Sequence, residues 1–310
     1  MSAKSVKQLL TIEHLPVADI EEIFRLARQL KLEGVPHCQQ PLKHQVWALI
    51  FAKSSTRTRV SFEVGIRQLG GDALFLNTND IQLGRGEAIK DTARVLGRMV
   101  QGAIIRTFAQ RDVEEFAQWS GLPTINALTD EEHPCQILAD IFTYEERRGS
   151  IRGKTVAFIG DGACNVPVSW MFAAAKFGFN FRIVAPKAYQ PDPSLLERAG
   201  SNVSCTSNIQ EGAAGADLLY TDVWVSMGKE AESAERLREL KRYQINDQVL
   251  SYAKKDALVM HCLPAYRGKE IAESTFDAHA ETIFAEAENR LHLQKGILQW
   301  AAPAFPSTAK

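Results

Sequence analysis

The chain alternates short, β-branched or aromatic apolar runs with longer stretches of helical periodicity, a pattern that few folds accept. The runs "VWALIF", "ALFL" (Ala73 to Leu76), "GAIIRTF" (Gly102 to Phe108), "TVAFIG", "FRIVAP", "DLLYTDV" and "ALVMHCL" read as buried strands. Between them Phe62, Ile66 and Leu69, and then Ile89, Ala93, Leu96 and Val100, recur at the spacing of one helix face. The expectation is an α/β protein of two domains, each a mainly parallel sheet flanked by helices, since a chain of 310 residues exceeds what one core usually holds. A helical stretch from Pro134 to Arg148 ends at the polar "RRGSIRGK", which puts a hinge near Gly149 to Lys154. The boundaries read from this are 1–148, 149–285, and a last helix within 286–310. That helix, from about Glu286 to Ala301, has Ala287, Leu291, Leu298 and Ala301 on one face and could pack on either domain.

Composition excludes several partners. A net charge of −1 and an apolar fraction of 45% argue against nucleic acid or a membrane surface. No apolar stretch approaches the ~20 residues of a membrane span, and "MSAKSVKQLL" lacks a signal peptide's long apolar region, so a cytoplasmic location is expected. Five cysteines, Cys38, Cys135, Cys164, Cys205 and Cys262, form no CxxC, which points to neither a disulfide framework nor a zinc site. Neither metal nor cofactor is expected.

Polar clusters fall at the ends of the apolar runs. In "FAKSSTRTRVSFEVGIRQLGG", Ser54 to Arg59 sit where a strand turns into a helix, and unpaired helical N–H groups there favour an anion. Four hydroxyls and two arginines exceed what capping requires, so a bound oxyanion is expected. Arg106 ends "IIRTF", His133 precedes Pro134 in "EEHPCQILAD", Asp222 and Ser226 follow a strand in "TDVWVSMGKE", and His261 and Cys262 open "HCLPAYRGKE". Singly these have structural alternatives: a surface ion pair, a cap, an Asx-turn, a small core hydrophobe. "FIGDGACNVPVSW" invites a dinucleotide reading, but the third glycine is absent and no acid follows "RIVAPKAY". A turn carrying Asn165 and Ser169 is more economical. In open α/β sheets ligands bind beyond the carboxyl ends of strands, which points to an interdomain cleft.

Taken in order, "SSTRTR", "DTARVLGRM", "HPCQ", "DVWVSMG", "HCLP" and "EAENRLHLQKGIL" resemble the aspartate/ornithine carbamoyltransferase family, and the second-half motifs resemble its ornithine branch. The resemblance runs from about Leu32 to Trp300. It implies transfer of the carbamoyl group of carbamoyl phosphate to the δ-amine of L-ornithine, giving citrulline and phosphate, with no metal and no cofactor. By resemblance, Ser55, Thr56, Arg57 and Thr58 hold the phosphate, and Arg106 is shared between phosphate and carbamoyl oxygen. His133 and Gln136 fix the carbamoyl group, and Arg290 lies near it on a helix returning to the first domain. Asn165 matches the partner of the ornithine α-carboxylate, Asp222 with Ser226 that of the α-ammonium, and Met227 offers its backbone. Cys262 and the carbonyl of Leu263 match the positions where the δ-amine meets the carbamoyl end. Arg106, His133 and Cys262 are the catalytic candidates. Gln82 matches a loop that enters a neighbouring subunit's site, which implies a homotrimer with sites at subunit boundaries.

Two departures stand out. Cys164-Asn165 replaces a pair of asparagines, and Pro167 and Val168 occupy positions that are commonly polar. The nearest rivals are transferases acting on putrescine, N-acetylornithine or aspartate. Asp222 favours a free α-amino acid over the first two, and no cationic cluster in these motifs suits aspartate. A phosphate-ligand sensor is disfavoured by the intact first-domain motifs. The residues serve arginine synthesis and citrulline breakdown alike. An attacking amine with a pKa near ~10.4 predicts activity that rises into alkaline pH.

Overall fold

The structure, a computed structural model, describes residues 6–37 and 40–303, so Cys38 lies outside the described residues. By internal packing the chain divides into two units, Met1–Cys135 with Arg290–Lys310, and Gln136–Asn289.

In the first unit the elements run β1 (Gln8–Leu9), α1 (Val17–His37), β2 (Val46–Phe51), α2 (Thr56–Gln68), β3 (Asp72–Asn77), α3 (Ile89–Leu96), β4 (Gly102–Arg106), α4 (Gln110–Ser120) and β5 (Thr124–Leu128). All strands are parallel, in the order β1-β5-β4-β2-β3. The central strand β2 is "VWALIF", buried from Trp47 onward, with Ala48 flanked by Leu74 and Ala103. Helix α2 begins at Ser55, whose hydroxyl accepts from the Thr58 N–H at 3.2 Å, and buries Phe62 and Ile66. Helix α3 stops at Leu96, short of Val100, and Gly97 after it lies so close to α4 that a Cβ there would sit 2.1 Å from the Ser120 carbonyl.

The second unit begins within α5 (Pro134–Arg148) and continues β6 (Thr155–Ile159), α6 (Asn165–Phe177), β7 (Asn180–Val184), α7 (Pro193–Ala199), β8 (Val203–Thr206), α8 (Ile209–Ala213), β9 (Leu218–Thr221), α9 (Ser233–Leu240), α10 (Asp247–Leu250), β10 (Leu258–His261), α11 (Glu273–Ala278) and α12 (Ala280–Ala301). Its parallel sheet is ordered β10-β9-β6-β7-β8. The division falls at Cys135/Gln136, whereas the polar junction lies at Gly149 to Lys154, because α5 is bonded into the second unit. Gln136 Nε2 reaches Glu286 at 3.2 Å, and Asn289 Nδ2 donates to Thr143 at 3.0 Å and Glu146 at 2.7 Å.

The last helix starts at Ala280, earlier than the apolar face alone indicates. From Arg290 onward it belongs to the first unit, where Leu291, Lys295 and Leu298 pack on Gly65 of α2. Gly296 lets it meet α1: a Cβ there would lie 2.6 Å from the Ile23 carbonyl. Both sheets reverse strand order in mid-sheet, between β2 and β4 in the first and between β6 and β9 in the second. Ligands bind beyond the carboxyl ends of strands at such switch points.

Candidate active site

At the first switch point, β2 leads into Ser55 and the N-terminus of α2, and β4 ends at Arg106. The register shifts between Ile105 and Arg106, so Arg106 pairs with Leu128 where regular pairing would continue to Ala127. Such an irregularity re-aims the side chain that ends the strand. Arg106 is 5% exposed, and its Nε has no hydrogen-bond partner among the described residues. Burial, then the charges of Arg290 and Arg57, push its pKa down to about 10. Arg290 Nη2 donates to the buried Thr58 hydroxyl at 3.0 Å. His133, buried, is held well below its ordinary pKa by burial and then by Arg290 and Arg106, so it is neutral at pH 7. Its turn is fixed by Cys135, whose thiol donates to the Asn126 carbonyl at 3.3 Å. Arg57 and Arg290, whose charges disfavour that of Arg106, stand with it beside helical N–H groups and hydroxyls and form a site whose electrostatics call for a polyvalent anion.

Gln82 stands apart from this cluster in the sequence of elements. It is exposed in a 3-10 turn, Gln82–Arg85, after β3.

At the second switch point the chemistry has the other sign. β6 leads into the turn before Asn165, the first residue of α6, and β9 leads directly into Asp222. Asp161 orders that turn: it accepts from the Ala163 N–H at 3.1 Å and pairs with buried Arg236 at 2.6 Å. Asp222 accepts from its neighbour's N–H on Val223 at 2.7 Å and from the Cys262 thiol at 3.0 Å. Burial raises its pKa above the ordinary carboxylate value. Burial and then the Asp222 carboxylate, with Glu286 and Asp140 beyond it, push the Cys262 thiol well above its usual range. At neutral pH Cys262 is therefore a hydrogen-bond donor to Asp222 and has no thiolate to act as a base. Ser226 is half-buried and Met227 is exposed in the loop after Trp224. Cys164 is a raised-pKa thiol at the start of α6, donating to the Asp161 carbonyl at 3.2 Å. Pro167 and Val168 are buried in the body of α6, where they serve packing.

The loop after β10 is held by its histidine. Leu263 N–H donates to His261 Nδ1 at 2.9 Å, so Nε2 carries the proton and faces Glu270 at 3.1 Å. This frame secures Leu263 at φ 58, a left-handed conformation that ordinarily costs a branched residue about 1–3 kcal/mol. Asp222, His261 and Cys262 bring one potential metal-ligand atom each to within 4.8 Å of one another. Both His261 nitrogens are engaged in this frame, which reads as a hydrogen-bonded scaffold.

Against known families, residues 7–146 match the carbamoyl-P binding domain of aspartate/ornithine carbamoyltransferase, and residues 152–301 match the Asp/Orn binding domain. The chain belongs to the aspartate/ornithine carbamoyltransferase family. It is 53% identical to the ornithine carbamoyltransferase of Akkermansia muciniphila over 96% of this chain and 99% of that one. It is 50% identical to that of Nitrosococcus oceani over 95% and 97%. Among solved structures it is similar to the ornithine carbamoyltransferase of Pyrococcus furiosus, at 39% identity and a TM-score of 0.89, covering 96% of this chain and 97% of that one. It is equally similar in fold to the anabolic ornithine carbamoyltransferase of Campylobacter jejuni, at 41% identity and a TM-score of 0.89, covering 95% and 98%.

Residues that the motifs alone did not single out complete the second half: the Arg236 partner of Asp161, Glu270 behind His261, and the buried set Asp140, Tyr220 and Glu286. A signal exists for the acids. "QILADIFTY" and "TIFAEAENR" each place a carboxylate inside an apolar helical stretch. Among the described residues no helix is long and apolar enough to cross a membrane.

Proposed function

We infer that the chain transfers the carbamoyl group of carbamoyl phosphate to the δ-amine of L-ornithine, releasing citrulline and phosphate. The observation that carries this is the set of Arg57, Arg106 and Arg290 around the N-terminus of α2, with a neutral His133 beside it. Ser55, Thr56, Arg57 and Thr58 take the phosphate, and Arg106 bridges it to the carbamoyl oxygen. Thr58, His133 and Arg106 stabilise the oxyanion as the amine attacks, and being neutral, His133 serves as a hydrogen-bond donor with no proton of charge to lose. Phosphate then leaves onto the hydroxyl and guanidinium groups that already hold it. Arg290 adds charge at the carbamoyl end and orients Thr58, and Gln136 binds the carbamoyl NH₂.

Ornithine is held by the second set. Asn165 donates to its α-carboxylate, Asp222 and Ser226 receive its α-ammonium, and Met227 contributes backbone groups. Cys262 and the Leu263 carbonyl orient the δ-amine toward the carbamoyl carbon. We assign the working form to a cytoplasmic homotrimer, in which Gln82 reaches the site of a neighbouring copy.

The test offers purified protein carbamoyl phosphate with ornithine, putrescine, N-acetylornithine or aspartate in separate reactions, reading phosphate and ureido product. Turnover with ornithine alone is expected. Turnover with another amine would overturn the Asn165 and Asp222 assignments, and silence throughout would overturn the reaction.

A further inference from the structure

Strand β10 is an edge of the second sheet, so the N–H groups on its open side need partners from outside the ladder. At His261, its last residue and fully buried, that partner is a side chain: the N–H donates to Glu286 Oε2 of α12 at 2.9 Å. The ring of the same histidine accepts from the Leu263 N–H at 2.9 Å and turns Nε2 to buried Glu270 at 3.1 Å. Cys262 therefore stands between two residues that are each held by a hydrogen bond. From there its thiol donates to Asp222, which ends the neighbouring strand β9, at 3.0 Å.

Glu286 is itself fixed from behind. Tyr220 of β9 donates its hydroxyl hydrogen to Asp140 Oδ2 of α5 at 2.7 Å, and its oxygen lies 3.3 Å from Glu286 Oε1. Asp140, Tyr220 and Glu286 are all fully buried, and two carboxyl groups that share donors in a dry interior do not both ionise. Burial and then Asp140 push the Glu286 carboxyl well above its usual range, so Glu286 keeps the proton of the pair. Its Oε2 accepts from an N–H that can only donate, which leaves Oε1, on the side of Tyr220 and Asp140, to carry that proton. The two oxygens thus have different duties: one binds the acid pair together, and the other holds the end of β10.

We propose that Glu286 is a positioning residue for the amine substrate: by holding the His261 N–H it fixes where β10 ends, and so keeps the Cys262 thiol on Asp222. This rests on the function proposed above, in which Asp222 and Cys262 meet the two nitrogens of ornithine. Every group in the chain of contacts, from Asp140 to Asp222, belongs to the second unit. Without an acceptor at position 286 the His261 N–H is left buried and unpaired; the strand end shifts to relieve it, and Cys262 shifts with it. The effect falls on ornithine and spares carbamoyl phosphate.

The experiment measures, on the full chain, the KM of each substrate and the rate at which iodoacetamide alkylates Cys262, located by mass spectrometry, with thermal melting alongside. Glu286→Met keeps the length of the side chain and removes the acceptor. Its ornithine KM is expected to rise about tenfold while that of carbamoyl phosphate stays within about twofold. Its Cys262 should alkylate about tenfold faster at pH 8, because a thiol moved off the Asp222 carboxylate yields thiolate more readily. Should the methionine variant not fold, Glu286→Ser is too short to reach His261, and the same changes are expected. Glu286→Gln offers an oxygen to His261 and an N–H where the Glu286 proton sits, so both readouts should stay within about threefold of wild type. A folded methionine or serine variant with wild-type ornithine KM and alkylation rate overturns the proposal, as does a Glu286→Gln variant that changes as much as Glu286→Met, or a carbamoyl phosphate KM that rises with that of ornithine. Absence of carbamoyl transfer by the wild-type chain would instead overturn the proposed function, and the alkylation rates, which need no turnover, would still judge the hold of Glu286 on Cys262.

Discussion

The two units share one plan and differ in the sign of what they present. Each is a five-stranded parallel sheet whose order reverses in mid-sheet, with Arg57 after β2 and Arg106 at the end of β4, the strands that flank the first reversal, and Asp222 after β9 at the second, next to Cys262 after the adjacent edge strand β10. In the first unit the candidate residues are Arg106, whose pKa burial and then the charges of Arg290 and Arg57 push down, and a histidine kept neutral. In the second they are a carboxylate and a thiol, both pushed up, over a buried carboxyl pair. The backbone decides where a ligand goes, and a few side chains decide its charge. A phosphate suits the first and an ammonium group the second.

Removing charge from the first unit should have the largest effect. Arg106→Ala is expected to lower kcat/KM by about 10²–10³-fold or more, since it deletes a donor to the developing oxyanion. Calorimetry should find carbamoyl phosphate binding weakened in the same variant, and equally in Arg57→Ala. Unchanged carbamoyl phosphate binding in both variants would mean that the anion lies elsewhere. The second unit should respond to the other substrate. Asp222→Ala removes a charge-assisted partner worth about 1.5–3 kcal/mol, so the ornithine KM should rise about 10- to 100-fold while carbamoyl phosphate binding persists. Loss of carbamoyl phosphate binding in Asp222→Ala would break the division of labour between the units.

A smaller effect is expected at Cys262. Its thiol donates to Asp222 and is held protonated, so Cys262→Ser, which keeps a donor, should reduce kcat by less than about tenfold. The alkaline rise in activity should also persist, because it reports the substrate amine. Disappearance of that rise in the variant would restore the thiol as the base.

What was legible in the sequence follows from what is local. The strand runs and the α2 start signal were readable because burial and capping leave their mark on adjacent residues. "TINAL" and "VSCT", strands β5 and β8, carry no such mark: the first holds Thr124, whose hydroxyl donates to the Leu122 carbonyl, and Asn126, whose amide finds the Leu10 carbonyl and Gln110 only through tertiary contacts. In the same way Arg57, Arg106, His133, Asp222 and Cys262 announced themselves within motifs. Asp140, Tyr220 and Glu286 did not, since their meeting requires α5, β9 and α12 to come together across long separations in the chain. A motif records which groups touch a ligand, and the groups that aim them are recorded only in the fold.

The smallest predicted effects are on stability, and they sharpen the contrast because the two units should respond to pH in opposite directions. His133 has a depressed pKa in the folded protein, so below the unfolded value of 6.5 the unfolded chain binds a proton that the folded one refuses. Stability from this group is complete above 6.5 and declines as pH falls. Glu286 is the reverse: its folded pKa is raised, so its contribution is complete below the unfolded value of 4.5 and declines as pH rises, while the folded protein still holds a proton that the unfolded chain releases. Each decline has a slope of about 1.4 kcal/mol per pH unit within its window. Melting curves of wild type and Glu286→Gln between pH 4.5 and pH 8 should therefore diverge, with the variant gaining relative stability as pH rises, because glutamine has no proton to give up. His133→Asn should gain relative stability as pH falls below 6.5. A constant offset between Glu286→Gln and wild type across that range would show that the buried pair holds no such proton, and the electrostatic opposition between the two units would then rest on Asp222 and Cys262 alone.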